Sequence, residues 1–517
     1  MFVLGHVKTH MLYLIVLSVL SVPSGFAQQP AQQRSHVERF SSPEVRAERA
    51  DADASAKISS NPNDAEALAT RALARMRLGR YQEGYEDLRR AVALRPTDAD
   101  YQSNLGYVLW KLGRPGEAIR SERAALNLDD KNFSAHFQLG RFLLRSGDPK
   151  QLAEAGAHLK RALELDPRQY DVRLELIALY RLLGDTAPAM AQLDLLEDAR
   201  PSDPRVAYVR ALLAADRGDL STAINGFREA LRLDPSLDGA SQDLGLAYIK
   251  LKRWPEAVET FAELTRRQAN SVDAAYFHAL ALFNAGRVAE AERESRRALR
   301  IDAGASAAHA LLGIILASRG ENNEASDALS QAAALDPNNF DAHFNLGRVQ
   351  YSMKDYTGSV RSLRTAVDLD PHHAEARFFL GTALEAEGEL DAALAEYQEL
   401  VKIDPQSAIG LVGLGALLVK QGKTQEAIGA LKRSNALDAT RFETNWALGR
   451  ALSQAERYGD AVESFKTAVS LAPDRADAHY QLGIALRRLG RSEEAAREFA
   501  LVEKINRDFR SNTAPKK

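Results

Sequence analysis

The sequence predicts an all-α solenoid, a row of about thirteen helix–turn–helix units, on three observations. A small-residue site recurs from Ala72 through Gly106, Gly140, Ile177 and Ala211 to Gly483, and of its twelve steps eleven are 34 residues and one is 37. Each interval holds two apolar stretches of helical period, parted by a glycine-containing turn such as Leu112-Gly113-Arg114 or Gln421-Gly422-Lys423. Many intervals close on Asp-Pro, as at Asp166-Pro167, Asp234-Pro235, Asp336-Pro337, Asp370-Pro371 and Asp404-Pro405. Proline cannot continue the helix there and pushes its predecessor out of helical space. Self-similarity at such a period marks stacked supersecondary units.

The elements follow in chain order. The one long apolar run, Met11 to Val22, is preceded by Lys8 and followed by Pro23, Gly25 and Ala27. Its roughly 12 apolar residues fall short of the about 20 that a helix needs to cross a hydrocarbon core. Gly25 and Ala27 flank Phe26 in the small-x-small pattern of a leader-cleavage site, so residues 1–27 are expected to be a signal peptide cut after Ala27; an uncleaved anchor is the alternative. Residues 28–43 are polar and aperiodic and read as a flexible spacer. A lone helix is expected over 44–61, because Ser42 and Pro43 form a start signal and Pro62 falls 34 residues before Pro96. It would cap the open end of the stack. Thirteen units then fill residues 65–509. The long step puts three extra residues near Ser146-Gly147-Asp148-Pro149-Lys150, in a turn, where an insertion costs little. Ile177 breaks the small-residue rule one unit later and is expected to splay its helix pair. Lys504, Arg507, Asp508 and Arg510 give the final helix the polar face a terminal unit needs, and 510–517 reads as a tail.

Composition narrows the function. Apolar residues are 45% and charged residues 26%, which excludes wholesale disorder. Lys plus Arg total 67 against 70 Asp plus Glu, a net charge of −3, so the chain lacks the basic footprint of a nucleic-acid binder. The absence of cysteine removes disulfides, thiolate nucleophiles and Cys-ligated zinc together. No stable membrane span is expected in the mature chain.

The units resemble the tetratricopeptide repeat, whose 34-residue pattern runs W-x2-L-G-x2-Y, then A-x3-F, then P. One unit reads Asn445-Trp446-Ala447-Leu448-Gly449, with Leu452, Tyr458, Ala461, Phe465, Ala468 and Pro473 at the family offsets. The family's second small site, position 20, is Ala in eleven of the thirteen units, with Gly84 and Ser359 as exceptions. Helices about 8–10 Å apart leave no room there for a branched side chain. The resemblance implies a right-handed superhelix whose first helices line a concave face with positions 2, 5, 6, 9, 12 and 13.

No catalytic signature stands out. Phosphate-loop, HExxH, kinase and Gly-x-Ser-x-Gly patterns are absent, and Asp and Glu alternate along helices as on solvated faces. His136, His309, His343 and His479 all occupy the fourth position of their units. Equivalent sites in adjacent units stand on the order of 10 Å apart, too far for shared metal ligation, so they read as structural replacements for the family's Trp. His372-His373 falls in a turn between units. The chain is expected to be no enzyme and to need neither cofactor nor metal.

What remains is a surface. The resemblance places Phe137, Phe344, Trp446 and Tyr480 at inward position 5, Asn104, Asn345 and Gln481 at position 6, and Trp110 at position 12. Arg141, Arg348 and Arg450 each follow an aromatic by four residues, on the same helical face. Rings beside guanidinium groups and amides suit an extended peptide or a sugar chain, and packing between neighbouring units is the competing use of the same rings. The chaperone-binding members' carboxylate clamp, Lys at position 5 with Asn at position 9, is missing from every unit. The inward chemistry is expected to be separable from the fold. The favoured reading is an exported, periplasmic or secreted scaffold that binds other proteins or extended peptide segments in envelope or secretory assembly. The runner-up is an accessory protein of polysaccharide synthesis or export. N-terminal sequencing of exported protein is expected to begin at Gln28; a chain that starts at Met1 and fractionates with membranes would contradict the cleaved leader.

Overall fold

The computed structural model of the protein describes residues 42–513 and the side chains of 42–508. The expected leader at 1–27, the expected spacer as far as residue 41 and residues 514–517 of the expected tail lie outside the described residues. Two blocks of helices make up the rest, one ending at Arg267 and one beginning at Gln268. The first holds the helix Pro43–Ser60 followed by six helix pairs, and the second holds seven pairs, from Val272–Asn284 to Ser492–Thr513. No strand occurs among the described residues. The early lone helix begins one residue sooner than the sequence suggested, because the Ser42 hydroxyl accepts the Val45 N–H at 3.3 Å and Pro43 fits the first turn. The last helix continues to Thr513, into the segment read as tail.

Each pair is closed by a turn residue in the left-handed region. Ten of the thirteen are glycines, including Gly113 (φ 74°) and Gly422 (φ 75°). The other three, Lys252, Lys354 and Glu456, adopt φ of 58° to 65° at the same place in the repeat. That common requirement is why glycine punctuates the turns.

Between units the chain is held by two recurring contacts. The aspartate of the stop accepts the N–H two residues on, as Asp129 does from Lys131 at 2.9 Å and Asp404 from Gln406 at 3.0 Å. It thus forms an Asx turn, and the carboxylate contributes alongside the proline. The second contact comes from position 4. His136, His309, His343 and His479 each place Nε2 3.0–3.1 Å from the carbonyl six residues earlier, in that same turn. Arg173, Arg377 and Asn445 donate to the equivalent carbonyl in their units. Position 4 is therefore a donor site that ties the turn down, which packing alone does not require.

Within a pair the helices cross at position 8, opposite position 24. A Cβ on Gly347 would stand 2.5 Å from Leu363 Cγ, and one on Gly245 would stand 2.5 Å from the Phe261 ring. Neither is a possible contact. Where Ile177 replaces the small residue, it is buried in one apolar cluster with Leu193 of the second helix. The three-residue insertion is absorbed as a 3-10 turn, Pro149–Gln151, whose start is capped by Asp148 Oδ1 accepting the Lys150 N–H at 3.0 Å. It leaves the crossing of Phe133–Arg145 with Leu152–Leu165 in place.

One unit fills position 24 with an acid. Glu122 is fully buried against Gly106, and neither carboxylate oxygen has a hydrogen-bond partner. Burial pushes its carboxyl well above the usual range, and the neighbouring Ser103 hydroxyl, which makes no well-formed hydrogen bond to it, acts the other way. A folded-state value raised in this way means that stability is lost as pH rises through it. Leucine occupies the same site opposite Gly347 and Gly415. Glu122→Leu is expected to raise stability at neutral pH by about 1–3 kcal/mol, read as a higher Tm and slower amide exchange in Ala99–Leu128. A lower Tm would show that the acid is structurally required.

Candidate functional site

The first helices of successive units lie side by side, so that groups roughly one repeat apart meet across them. In the first block, Arg181 Nε stands 2.5 Å from Asp216 Oδ2, and the Tyr208 hydroxyl donates to Asp243 Oδ2 at 2.6 Å. In the second, Lys420 pairs with Glu385, and the Phe344 and Phe379 rings meet edge-on at 5.9 Å. These rows contain the residues that the repeat pattern assigns to the concave face.

In the first block, Trp110 lies flat on Phe142 of the next first helix, centroids 4.4 Å apart and planes at 4°. Phe137 is buried, with the Arg141 guanidinium over its ring at 5.3 Å. Arg141 Nε lies 3.0 Å from Glu175 Oε1, and Arg145 Nη2 lies 3.1 Å from the same oxygen. Burial pulls the Arg141 pKa down, the Glu175 carboxylate supports it, and Arg145 opposes it. Asn104 sits half-buried on the same row.

In the second block, Phe344 is buried and Arg348 lies over both its ring, at 5.4 Å, and that of Phe379, at 5.0 Å. The Asn345 amide donates to the Asp341 carbonyl of its own helix at 2.8 Å, so it is engaged within the fold. Arg450 covers the Trp446 ring at 4.8 Å. Tyr480 is 50% exposed, the most open of the chosen aromatics, and Gln481 beside it is half-buried. All three aromatic–arginine pairs spaced four residues apart are thus in contact. No cluster of three or more potential metal-ligating side chains occurs among the described residues.

Two expectations require correction. The acids do not all lie on solvated faces, because Asp87, Glu122, Glu175, Asp243 and Glu292 are buried. Three of these each face two guanidinium groups: Asp87 with Arg71 and Arg75, Glu175 with Arg141 and Arg145, and Glu292 with Arg296 and Arg319. Nor is the inward chemistry separable from the fold. Trp110, Arg141 and Phe344 join one first helix to the next, so truncating Arg141 would withdraw one of the two cations that neutralise buried Glu175. Sequence reasoning missed Glu175, Asp243 and Lys111. For Glu175 and Asp243 the signal was a cation or a hydroxyl about one repeat away, and for Lys111 it was a like charge, Arg145, one repeat on.

The Asp243 carboxyl is pushed up to about 6, chiefly by burial. The Tyr208 hydrogen bond, Arg181 and Lys250 favour its ionised form, and Asp216 disfavours it. Because the folded value exceeds the unfolded value of 3.8, this group withdraws stability as pH rises from about 4 through 6. Asp243→Asn is expected to abolish that component, on the order of 2–3 kcal/mol. The measurement is amide exchange over Pro204–Lys250 at a series of pH values. An unchanged pH profile would contradict the assignment.

Comparisons with known proteins bear on this geometry. Family models described as tetratricopeptide repeat match residues 69–134, 103–167, 351–408 and 447–509, residues 148–213 and 214–283, and residues 272–297. Another, described as TPR repeat, matches 313–354. Together they span most of the described units. No curated protein sequence matches the chain. Among solved structures, YrrB, a TPR protein with an unusual peptide-binding site, is 23% identical and covers 36% of this chain and 97% of its own, with a TM-score of 0.34. A chain of the APC/C hetero-tetramer Cut9-Hcn1 is 15% identical over 91% of this chain and 95% of its own, with a TM-score of 0.48. MamA is 23% identical over 32% of this chain and 97% of its own, with a TM-score of 0.30.

Proposed function

The chain belongs to the tetratricopeptide repeat family, and from that premise we propose that it is an exported, non-catalytic scaffold whose first helices hold segments of partner proteins. Export rests on the leader pattern at residues 1–27, and the site of action is then the cell envelope or the secretory route. The observation that carries the docking face is the repeated pairing of a ring with a guanidinium along the first helices: Arg141 on Phe137, Arg348 on Phe344 and Arg450 on Trp446. Phe137 and Phe344 are themselves buried, so it is the partly exposed Trp446 with Arg450 that offers a flat apolar face and a charged edge together, which suits the alternating apolar and polar groups of an extended peptide. Their side chains are already ordered, so docking adds little entropy loss on the protein side.

A photo-reactive phenylalanine analogue at Tyr480 is expected to cross-link a partner in an envelope extract, whereas the same group at Lys466, on a second helix, is expected not to. Cross-linking at Lys466 alone would move docking to the outer helices and overturn this reading.

A further inference from the structure

The first block brings three cations close together, two of them on a single acid. Arg141 and Arg145 both point at Glu175 Oε1, at 3.0 and 3.1 Å, and Glu175 is buried. Lys111, at position 13 of the preceding unit, stands in the field of both guanidinium groups; burial and those two charges hold its pKa below the usual lysine value. Its ammonium lies 6.0 Å from the Tyr81 ring centroid and 5.7 Å from that of Tyr107, and it makes no ion pair among the described residues. Asp171, the next acid along, is engaged by Arg205 at 3.2 Å. One carboxylate therefore pairs with two of the three neighbouring cations, and Lys111 keeps its charge without an ion pair among the described residues, in a chain whose overall balance is −3.

We propose that this cluster docks an acidic, extended protein segment, with carboxylates of its Asp or Glu side chains taken by Lys111 and Arg145. The inference rests on the reading of the first helices as the docking face and adds the chemistry of the ligand. Charge complementarity selects an anion, and the partial burial of Arg145 makes a carboxylate there worth more than it would be in open water. Spacing selects an extended chain. Lys111 and Arg145 occupy the same position on neighbouring first helices, on the order of 10 Å apart. In an extended segment, side chains on one face recur about every 6.6–6.8 Å, so acids separated by one such interval, with the reach of their own side chains, span that gap. The Tyr81 and Tyr107 rings beside Lys111 supply apolar faces for the intervening residues. Glu175 holds the two arginines in place beforehand, which lowers the ordering required on binding.

The test is fluorescence anisotropy with the full mature chain and a short labelled peptide alternating Glu and Ser. Binding is expected, weakening with salt, while the Gln-for-Glu peptide is expected to bind far less. Lys111→Gln with Arg145→Gln should weaken the Glu peptide by on the order of tenfold or more, whereas Lys466→Gln, on a second helix of the second block, should not. Lys111→Gln alone disturbs no ion pair, so it keeps the test valid if the double variant loosens Glu175. Equal binding of the Gln peptide, or unchanged affinity in both Lys111 variants, would overturn the proposal. An oligouronate that competes as well as the Glu peptide would overturn the commitment to a protein ligand. If Tyr480 still cross-links its partner while the Glu peptide fails to bind, only this inference falls. If both fail, the docking-face reading falls with it.

Discussion

Everything in this chain depends on how closely the two helices of a unit approach. Glycine in a helix interior is worth about 0.5–1 kcal/mol less than alanine, yet it occupies position 8 in most units. The reason is visible across the crossing. A Cβ on Gly449 would fall 2.5 Å from the Phe465 ring, and one on Gly415 would fall 2.5 Å from Leu431 Cγ. The large side chain at position 24 fills the notch that glycine leaves, and the packing gained exceeds the helix propensity given up. Ile177 and Glu122 show the two ways of departing from the rule. The first buries a branched side chain beside Leu193, and the second keeps the close approach but puts a buried acid into it.

Once the crossing is set, the turns need only local means. A left-handed residue closes each pair, an Asx turn closes the units that stop on aspartate, and where position 4 is a donor it ties that turn to the helix that follows. Since every unit satisfies its own chain ends, it depends on its immediate neighbours and little else. That independence explains the insertion: Pro149–Gln151 adds a 3-10 turn beyond the crossing, and the spacing resumes unchanged.

The period, the two helices of each unit and the aromatic–arginine pairs were legible in the sequence, because each is encoded over a few residues or at a fixed repeat. The role of the position-4 histidines was not, since their partner is a backbone carbonyl that carries no residue identity. The buried acids were missed for a different reason. Whether Glu175 or Asp243 is solvated depends on Arg141 or Tyr208, one repeat back, and reading each helix by its own periodicity hides that partner. Searching for opposite charges, hydroxyls or rings 34–35 residues apart would have found Arg141 with Glu175, Tyr208 with Asp243, Lys420 with Glu385 and Phe344 with Phe379. The same offset shows why the inward aromatics divided between packing and binding: Phe137 and Phe344 are spent between helices, while Tyr480 is left open.

This division ties recognition to cohesion. In the first block the groups best placed to attract an anion also link one first helix to the next through Glu175. A single carboxylate therefore sets two quantities against each other. It neutralises enough charge for the two arginines to lie together with little water around them, and it leaves enough unneutralised for an acidic ligand to gain by arriving. More acid at this point would strengthen the stack and weaken the attraction. Less would leave the guanidinium groups repelling one another across the joint, a repulsion that a bound acidic segment would itself relieve. Occupancy of the inner face and adhesion between neighbouring units should thus rise together, and a solenoid held by nearest-neighbour contacts would respond first in the units the ligand touches.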